Sequence, residues 1–179
     1  MIREFSVKPK PSNNNARLIF VFGASLAFAF ILLSTFIPLY KGVVSLVGVA
    51  LLSLALVVYA KYIAPIYYYD ITFDSQGRGL FVVRQQVGKR QTTLCRISLH
   101  EIVGVEKQTA EQRRAHKTPV GVIKYSYLPT LFPSDVYMIT NCSRYEKAEI
   151  LIEVSDDFAE IIRSYSCEAR DMNVDEEGY

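Results

Sequence analysis

Residues 18–40, LIFVFGASLAFAFILLSTFIPLY, run for 23 positions without a charge, and after Lys41 alone residues 42–60, GVVSLVGVALLSLALVVYA, run for 19 more. At about 1.5 Å per helical residue the first would span roughly 34 Å and the second roughly 28 Å, against a hydrocarbon core of about 30 Å. Each is long enough to cross a bilayer. A cleaved signal peptide has an apolar core of about 7 to 15 residues and a small-residue cleavage site. This run is longer, ends in Pro38-Leu39-Tyr40 and is followed at once by a second. A helix of a soluble core keeps a polar face, but residues 43–58 offer only Ser45 and Ser53 as polar side chains. The pattern predicts a transmembrane hairpin with helices at about 18–38 and 42–61.

With only Lys41 between the runs, the helices are expected to be antiparallel, Pro38 and Gly42 helping the chain turn, and both ends emerge on one side. Arg3, Lys8, Lys10 and Arg17 precede the first helix and Lys61 follows the second, five basic residues against one in the turn. The excess of Lys and Arg on cytoplasmic flanks places both termini in the cytoplasm and the protein in the cell membrane as a multi-pass chain. Tyr40, Tyr59 and Tyr62 stand where aromatic belts meet headgroups. Residues 1–61 hold six Lys/Arg and one Asp/Glu, a charge of +5; residues 62–179 hold fourteen and seventeen, a charge of −3. The basic part suits anionic lipid, and the acidic remainder argues against nucleic acid as a partner.

Gly23 with Ala27 and Ser25 with Ala29 in the first run, and Gly42, Ser45 and Gly48 in the second, recur at spacings that permit close backbone approach. They suit packing of the two helices on each other within one chain, or else a dimer seam. Neither span contains Asp, Glu, Lys, Arg or His, the residues that ion pathways and proton relays need, so the hairpin reads as a tether.

From Tyr67 the texture changes to short β-branched and aromatic segments separated by turn signals, predicting antiparallel sheet. Tyr69, Ile71 and Phe73 alternate with Asp70, Thr72 and Asp74, residues 75–79 (SQGRG) form a turn, and residues 80–87 form the next strand. A turn at Gly88-Lys89 leads to a strand ending at Ile97, with more at 102–107, 121–127, 135–141 and 145–154. Ser155 is suited to cap a helix in which Phe158, Ile161, Ile162 and Tyr165 share one face. The acidic, apolar-poor residues 171–179 are expected to be a disordered tail.

Seven strands followed by one helix, the early hairpin at 69–87 and the segment Arg96-Ile97-Ser98-Leu99-His100-Glu101-Ile102-Val103-Gly104-Val105-Glu106 give the chain a layout that resembles bacterial membrane proteins with a pleckstrin-homology-like (PH-like) domain after a transmembrane hairpin. The resemblance covers roughly residues 67–169 and implies a membrane α+β fold. The hairpin would precede an antiparallel seven-stranded PH-like β-sandwich or barrel at 66–170, closed by a C-terminal helix. It implies an interaction or scaffold role without catalytic residues. Eukaryotic relatives that bind inositol lipids place several Lys/Arg around the first two strand connections. Here those connections offer only Arg78, Arg84, Lys89 and Arg90, which weakens that ligand class.

The sharpest basic cluster is Arg113-Arg114-Ala115-His116-Lys117, in a polar stretch read as a loop; Arg113, Arg114 and Lys117 would meet anionic headgroups, or solvate a surface. Tyr125, Tyr127, Leu128, Leu131, Phe132 and Pro133 form an aromatic stretch that suits a partner groove, an interfacial wedge or a cover over one end of the sheet, with Tyr127 and Phe132 the candidate contacts. Nucleophilic catalysis needs a base held beside Ser or Cys, and the histidines, His100 and His116, have no such signature. Cys95, Cys142 and Cys167 lack metal-ligand spacing and read as reduced structural thiols. No cofactor, metal or catalytic residue is expected. The expected role is a non-enzymatic, membrane-anchored interaction domain that self-associates or meets a membrane protein, with sensing of anionic lipid as the alternative.

Overall fold

A computed structural model describes residues 5–7, 14–143 and 146–176, and the chain divides into two compact units, residues 11–66 with 130–132, and residues 1–10, 67–129 and 133–179.

The first unit is the helical pair. α1 (Asn14–Leu33) and α2 (Lys41–Val58) are joined through a 3-10 turn at Pro38–Tyr40, and α2 runs on into a π-helical turn at Tyr59–Ile63. α1 stops short of the expected end near residue 38. Its last carbonyls are taken by hydroxyls, Ser34 Oγ donating to Ile31 O (2.6 Å) and Thr35 Oγ1 to Leu32 O (2.7 Å), while the backbone tightens to i→i−3 bonds at Thr35 and Phe36. The turn is therefore residues 34–40, and Lys41 opens α2. Residues 15–33 and 41–63 are each long and apolar enough to cross a membrane, yet only 11% of either window is buried. A core helix of a soluble protein would hide those side chains. Here Leu18, Phe22, Phe28, Leu46 and Leu54 face outward, an apolar surface of the kind a bilayer covers.

Small residues form the seam between the helices. Ala27, Gly48 and Ala55 are buried, and a Cβ at Gly48 would lie 2.8 Å from Ile31 Cγ1 and 3.1 Å from the Ala27 carbonyl. A Cβ at Gly42 would meet nothing within 4 Å. Of the glycines in the 42–45–48 series, then, only Gly48 is required by close approach. Gly48→Val should cost on the order of 1–3 kcal/mol through overpacking, whereas Gly42→Ala should leave stability unchanged or raise it by up to about 1 kcal/mol. Thermal unfolding of the helical signal in detergent would separate them, and equal behaviour of the two variants would refute the seam.

The second unit holds two four-stranded sheets and a helix. Sheet A has the order β1-β2-β3-β4, from β1 (Phe5–Val7), β2 (Pro65–Phe73), β3 (Gly79–Val87) and β4 (Arg90–Ser98). Sheet B has the order β5-β7-β8-β6, from β5 (Ile102–Gln108), β6 (Val122–Ser126), β7 (Val136–Cys142) and β8 (Lys147–Glu153). Gly88, at φ +60°, makes the tight β3–β4 turn that its neighbours' L side chains would resist. The period-2 pattern lands as expected: Tyr69 and Ile71 of β2 are fully buried with Ala148, Ile150, Ile152 and Val154 in one core. Leu151, on the opposite face of β8, joins Val136 and Met138 in a smaller cluster covered by Leu128. α4 (Asp156–Glu176) seats Phe158, Ala159 and Ile162 on the main core and packs along β5 and the 3-10 turn Leu99–Glu101, where Arg163 donates to the Val105 carbonyl at 2.8 Å.

Four expectations are corrected. The described residues form eight strands in two open four-stranded sheets, where seven strands in a sandwich or barrel were expected; β1 adds an edge strand from the N-terminal segment, and the sheets do not close into a barrel. The sheets are not wholly antiparallel, since β6 pairs with β8 in parallel; it reaches that far edge through other elements, which frees it from hairpin geometry. The basic stretch is not a loop but contains α3 (Ala110–Ala115). The acidic end is not a tail from residue 171, because α4 continues to Glu176; residues 177–179 lie outside the described residues.

Candidate functional site

Thr109 begins the first candidate region with a reciprocal cap: Gln112 N–H donates to Thr109 Oγ1 (3.2 Å) and Thr109 N–H to Gln112 Oε1 (2.8 Å). This cap starts α3 and splits the basic cluster. Arg114 and Lys117 are exposed, Arg113 is half-buried with a buried Nε that has no hydrogen-bond partner, and His116 turns inward. His116 Nε2 lies 2.9 Å from both carboxylate oxygens of Glu149, and Thr118 Oγ1 donates to the same group at 3.3 Å. A carboxylate only accepts, so Nε2 carries the hydrogen. Glu149 sits on β8, an inner strand, with its side chain 6% exposed. His116 thus latches the segment before β6 to sheet B.

A second region was not visible in the sequence because three separate segments build it. The β2–β3 turn supplies Phe73, Arg78 and Gly79, the 3-10 turn Leu99 and His100, and α4 Tyr165 and Glu168, around a cleft of about 370 Å³. The turn is held by Asp74, whose carboxylate accepts from the N–H groups of Gln76 (2.8 Å) and Arg78 (2.9 Å) and from Arg78 Nε (2.9 Å). The Arg78 N–H above all holds that carboxyl below its usual range. A Cβ at Gly79 would come 2.5 Å from Leu99 Cδ1, and both residues line the cleft. Phe73 and Tyr165 meet edge to face at 6.0 Å. A lining that combines Phe73, Leu99 and Tyr165 with Arg78, His100 and Glu168 suits a small apolar group carrying polar or charged ends.

No family model, curated protein or solved structure matches the chain. Its chemistry has to be read from its own residues.

Tyr127 and Phe132 fall in different compact units. Tyr127 is half-buried, stacks on Tyr125 at 6.2 Å, accepts the Tyr69 hydroxyl on its carbonyl (2.7 Å), and has its phenol pushed up to about 12 by burial. It acts as a strut of the sheet domain. Phe132 is exposed and groups with the helical pair. Cys95 is half-buried and its thiol is pushed up by burial, while Cys142 and Cys167 are exposed; all three are free. Among the described residues no group of three or more His, Cys, Asp or Glu is placed to hold a metal ion.

One surface cluster ties α4 to sheet B. Lys107 Nζ reaches Asp156 (2.8 Å) and Asp135 (3.1 Å), and the Tyr137 hydroxyl donates to Asp156 at 2.7 Å. The Lys107 ammonium, then the Tyr137 hydroxyl, hold the Asp156 carboxyl below its ordinary value. A carboxyl lowered on folding stabilises above its unfolded value, and the contribution fades as pH falls through the folded one. Asp156→Asn should therefore lower the urea midpoint at neutral pH, and the gap from wild type should close as pH falls below the ordinary carboxylate range. A gap that persists or widens in acid would contradict the assignment.

Proposed function

We propose that this chain is a membrane-anchored, non-enzymatic interaction domain of the cell membrane, with both termini cytoplasmic, acting through self-association or a membrane protein partner. The observation that carries the reading is the ladder between β1 and β2, with Phe5 opposite Ile71, Ser6 opposite Asp70 and Val7 opposite Tyr69. These strands flank the two apolar helices in sequence, so a bilayer crossed by both helices leaves them on the same side. The basic residues around the outer ends of the helices, against Lys41 alone in the turn, favour the cytoplasm for that side. The likeness to PH-like domains belongs to the same proposal: two open sheets with edges at β1, β4, β5 and β6 and a helix across the core offer edges and loops for contact. Edge strands pair readily with other chains.

Two full-length copies with different tags, co-expressed and captured in lipid nanodiscs at low copy number, should co-purify. Recovery of each alone, with no membrane protein retained, would refute the reading. Orientation is checked by Lys41→Cys in a cysteine-free background, which should react with an impermeant maleimide from outside intact cells.

A second reading, sensing of anionic lipid, is favoured by the exposure of Arg114 in the last turn of α3 and of Lys117 just after it. Each basic residue near a charged surface adds about 1 kcal/mol. A fluorophore at Glu111→Cys should then be quenched by lipid-borne spin labels more strongly in anionic than in neutral vesicles, with the difference lost in Arg114→Ala/Lys117→Ala. Equal quenching would remove this reading.

A further inference from the structure

Between β6 and β7 lies the longest uncharged run after Lys61, residues 125–134, YSYLPTLFPS. Both ends of it are fixed to the sheet domain. At one end Tyr127 N–H donates to the Leu151 carbonyl at 2.9 Å, the Tyr69 hydroxyl donates to the Tyr127 carbonyl, and Leu128 covers Val136, Met138 and Leu151. At the other, Ser134 N–H donates to Glu153 Oε1 at 3.4 Å and Val154 N–H to the Asp135 carbonyl at 3.2 Å. Between these anchors, Thr130–Phe132 alone groups with the helical pair.

This tip has a buried base and an exposed point. Pro129 and Thr130 are buried, Leu131 is half-buried, and Phe132 is 59% exposed. Among the described residues after Tyr59, Phe132 is the only exposed aromatic ring. A lone exposed apolar side chain is ordinary on a protein surface. Phe132, however, ends a pinned, uncharged segment and shares a compact unit with the outward-facing Leu18, Phe22, Leu46 and Leu54, the apolar surface that a bilayer would cover. Pro129 and Pro133 fix φ on either side, so seating the ring orders little that is not ordered already. Residues 130–132 form a bend, neither helix nor strand, and lipid-exposed irregular backbone is not tolerated in the hydrocarbon core. The headgroup boundary, where water still reaches the N–H and C=O groups, is the depth that suits it.

We propose that Thr130–Phe132 is a shallow lipid-contact site, additional to the two helices, and that its occupant is a bilayer leaflet, with the Phe132 ring at the boundary between headgroups and acyl chains. This rests on the membrane reading above. No charge lies within 125–134, so the contact requires no anionic lipid, unlike one made by Arg114 and Lys117.

The chain has no tryptophan, so Phe132→Trp and, separately, Phe22→Trp each give a full-length protein with a single one. Both positions are exposed, and the larger ring meets no packing there. Each variant is reconstituted in phosphatidylcholine vesicles whose acyl chains carry bromine either near the glycerol or near the methyl end. Phe22→Trp, near the middle of α1, should lose most intensity to the deep bromines. Phe132→Trp should show blue-shifted emission and lose more intensity to the shallow bromines than to the deep ones. If Phe22→Trp is quenched and Phe132→Trp by neither lipid, the contact is overturned and the hairpin stands. Blue-shifted emission from Phe132→Trp without bromine quenching overturns it as well, because the ring is then covered by protein. Quenching of Phe132→Trp chiefly by the deep bromines overturns the shallow placement. If neither variant is quenched, the membrane reading falls together with the site.

Discussion

Phe158→Ala should remove about 3–5 kcal/mol from the stability of the sheet domain. That is a large share of the roughly 5–15 kcal/mol that holds an ordinary domain folded. Phe158 is 2% exposed and enters the main core with Ala159 and Ile162, so truncation leaves a cavity bounded by both sheets' side chains and the first turn of α4. The backbone there has little freedom to collapse into the space: the Phe158 and Ala159 N–H groups are bonded to Ser155, and Arg163 pins the next turn to β5. Phe132→Ala removes the same ring from an exposed position, and should change stability by no more than about 0.5 kcal/mol. Urea unfolding of the two full-length variants in detergent, followed by tyrosine fluorescence, makes the comparison. A Phe158→Ala loss under about 1 kcal/mol would mean that α4 is not seated as described.

The second large effect concerns His116 and has a sign that depends on which partner is removed. Glu149 is bonded through its backbone to β7 on one side and β6 on the other, so its carboxylate cannot swing out to water. His116→Ala leaves the buried carboxyl facing only the Thr118 hydroxyl, at a cost of about 1–3 kcal/mol for an under-satisfied buried polar group. Glu149→Leu removes the charge as well as the bond and fills similar volume, so it should cost much less, and His116→Ala/Glu149→Leu should be more stable than His116→Ala alone. A double variant no better than the single would show that the pair is not coupled. Within the fold, His116→Ala should loosen β6 first, because its parallel pairing to β8 begins at Val122↔Lys147, just beyond the latch.

Sequence patterning made the helical pair and most of the sheet domain readable for a specific reason. Uncharged runs and period-2 alternation are written in consecutive residues, as at Tyr69 and Ile71 or along β8. What was not readable depends on partners distant in the chain. β1 is three residues with basic neighbours and no periodicity of its own; only the edge of β2 makes it a strand. Nothing in Lys124 or Tyr125 says that β6 lies parallel to β8. Thr109 and Gln112 did carry the spacing of a reciprocal cap, the one local signal of α3 that a reading of the stretch as polar loop passed over. For the candidate sites, Arg114 and Lys117 stood out as charges and remain exposed. His116 looked like a member of the same cluster, and its inward turn is decided by Glu149 on a strand 33 residues later. The cleft was hidden because Phe73, His100 and Tyr165 come from three segments that share no motif.

The separation of Ser6 from Asp70 by 64 residues also sets an order of events during synthesis. At roughly 5–20 residues per second, about 3–13 s pass between the emergence of one and the other. β2, β3 and β4 follow one another and can zip as they appear, while the first strand made is the last strand of its sheet to be placed. By then both apolar helices have left the ribosome. If both apolar helices cross a bilayer, β1 comes to lie on the side of the β2 edge, whereas a chain in which only one had crossed would hold Phe5-Ser6-Val7 on the other side and leave that edge bare.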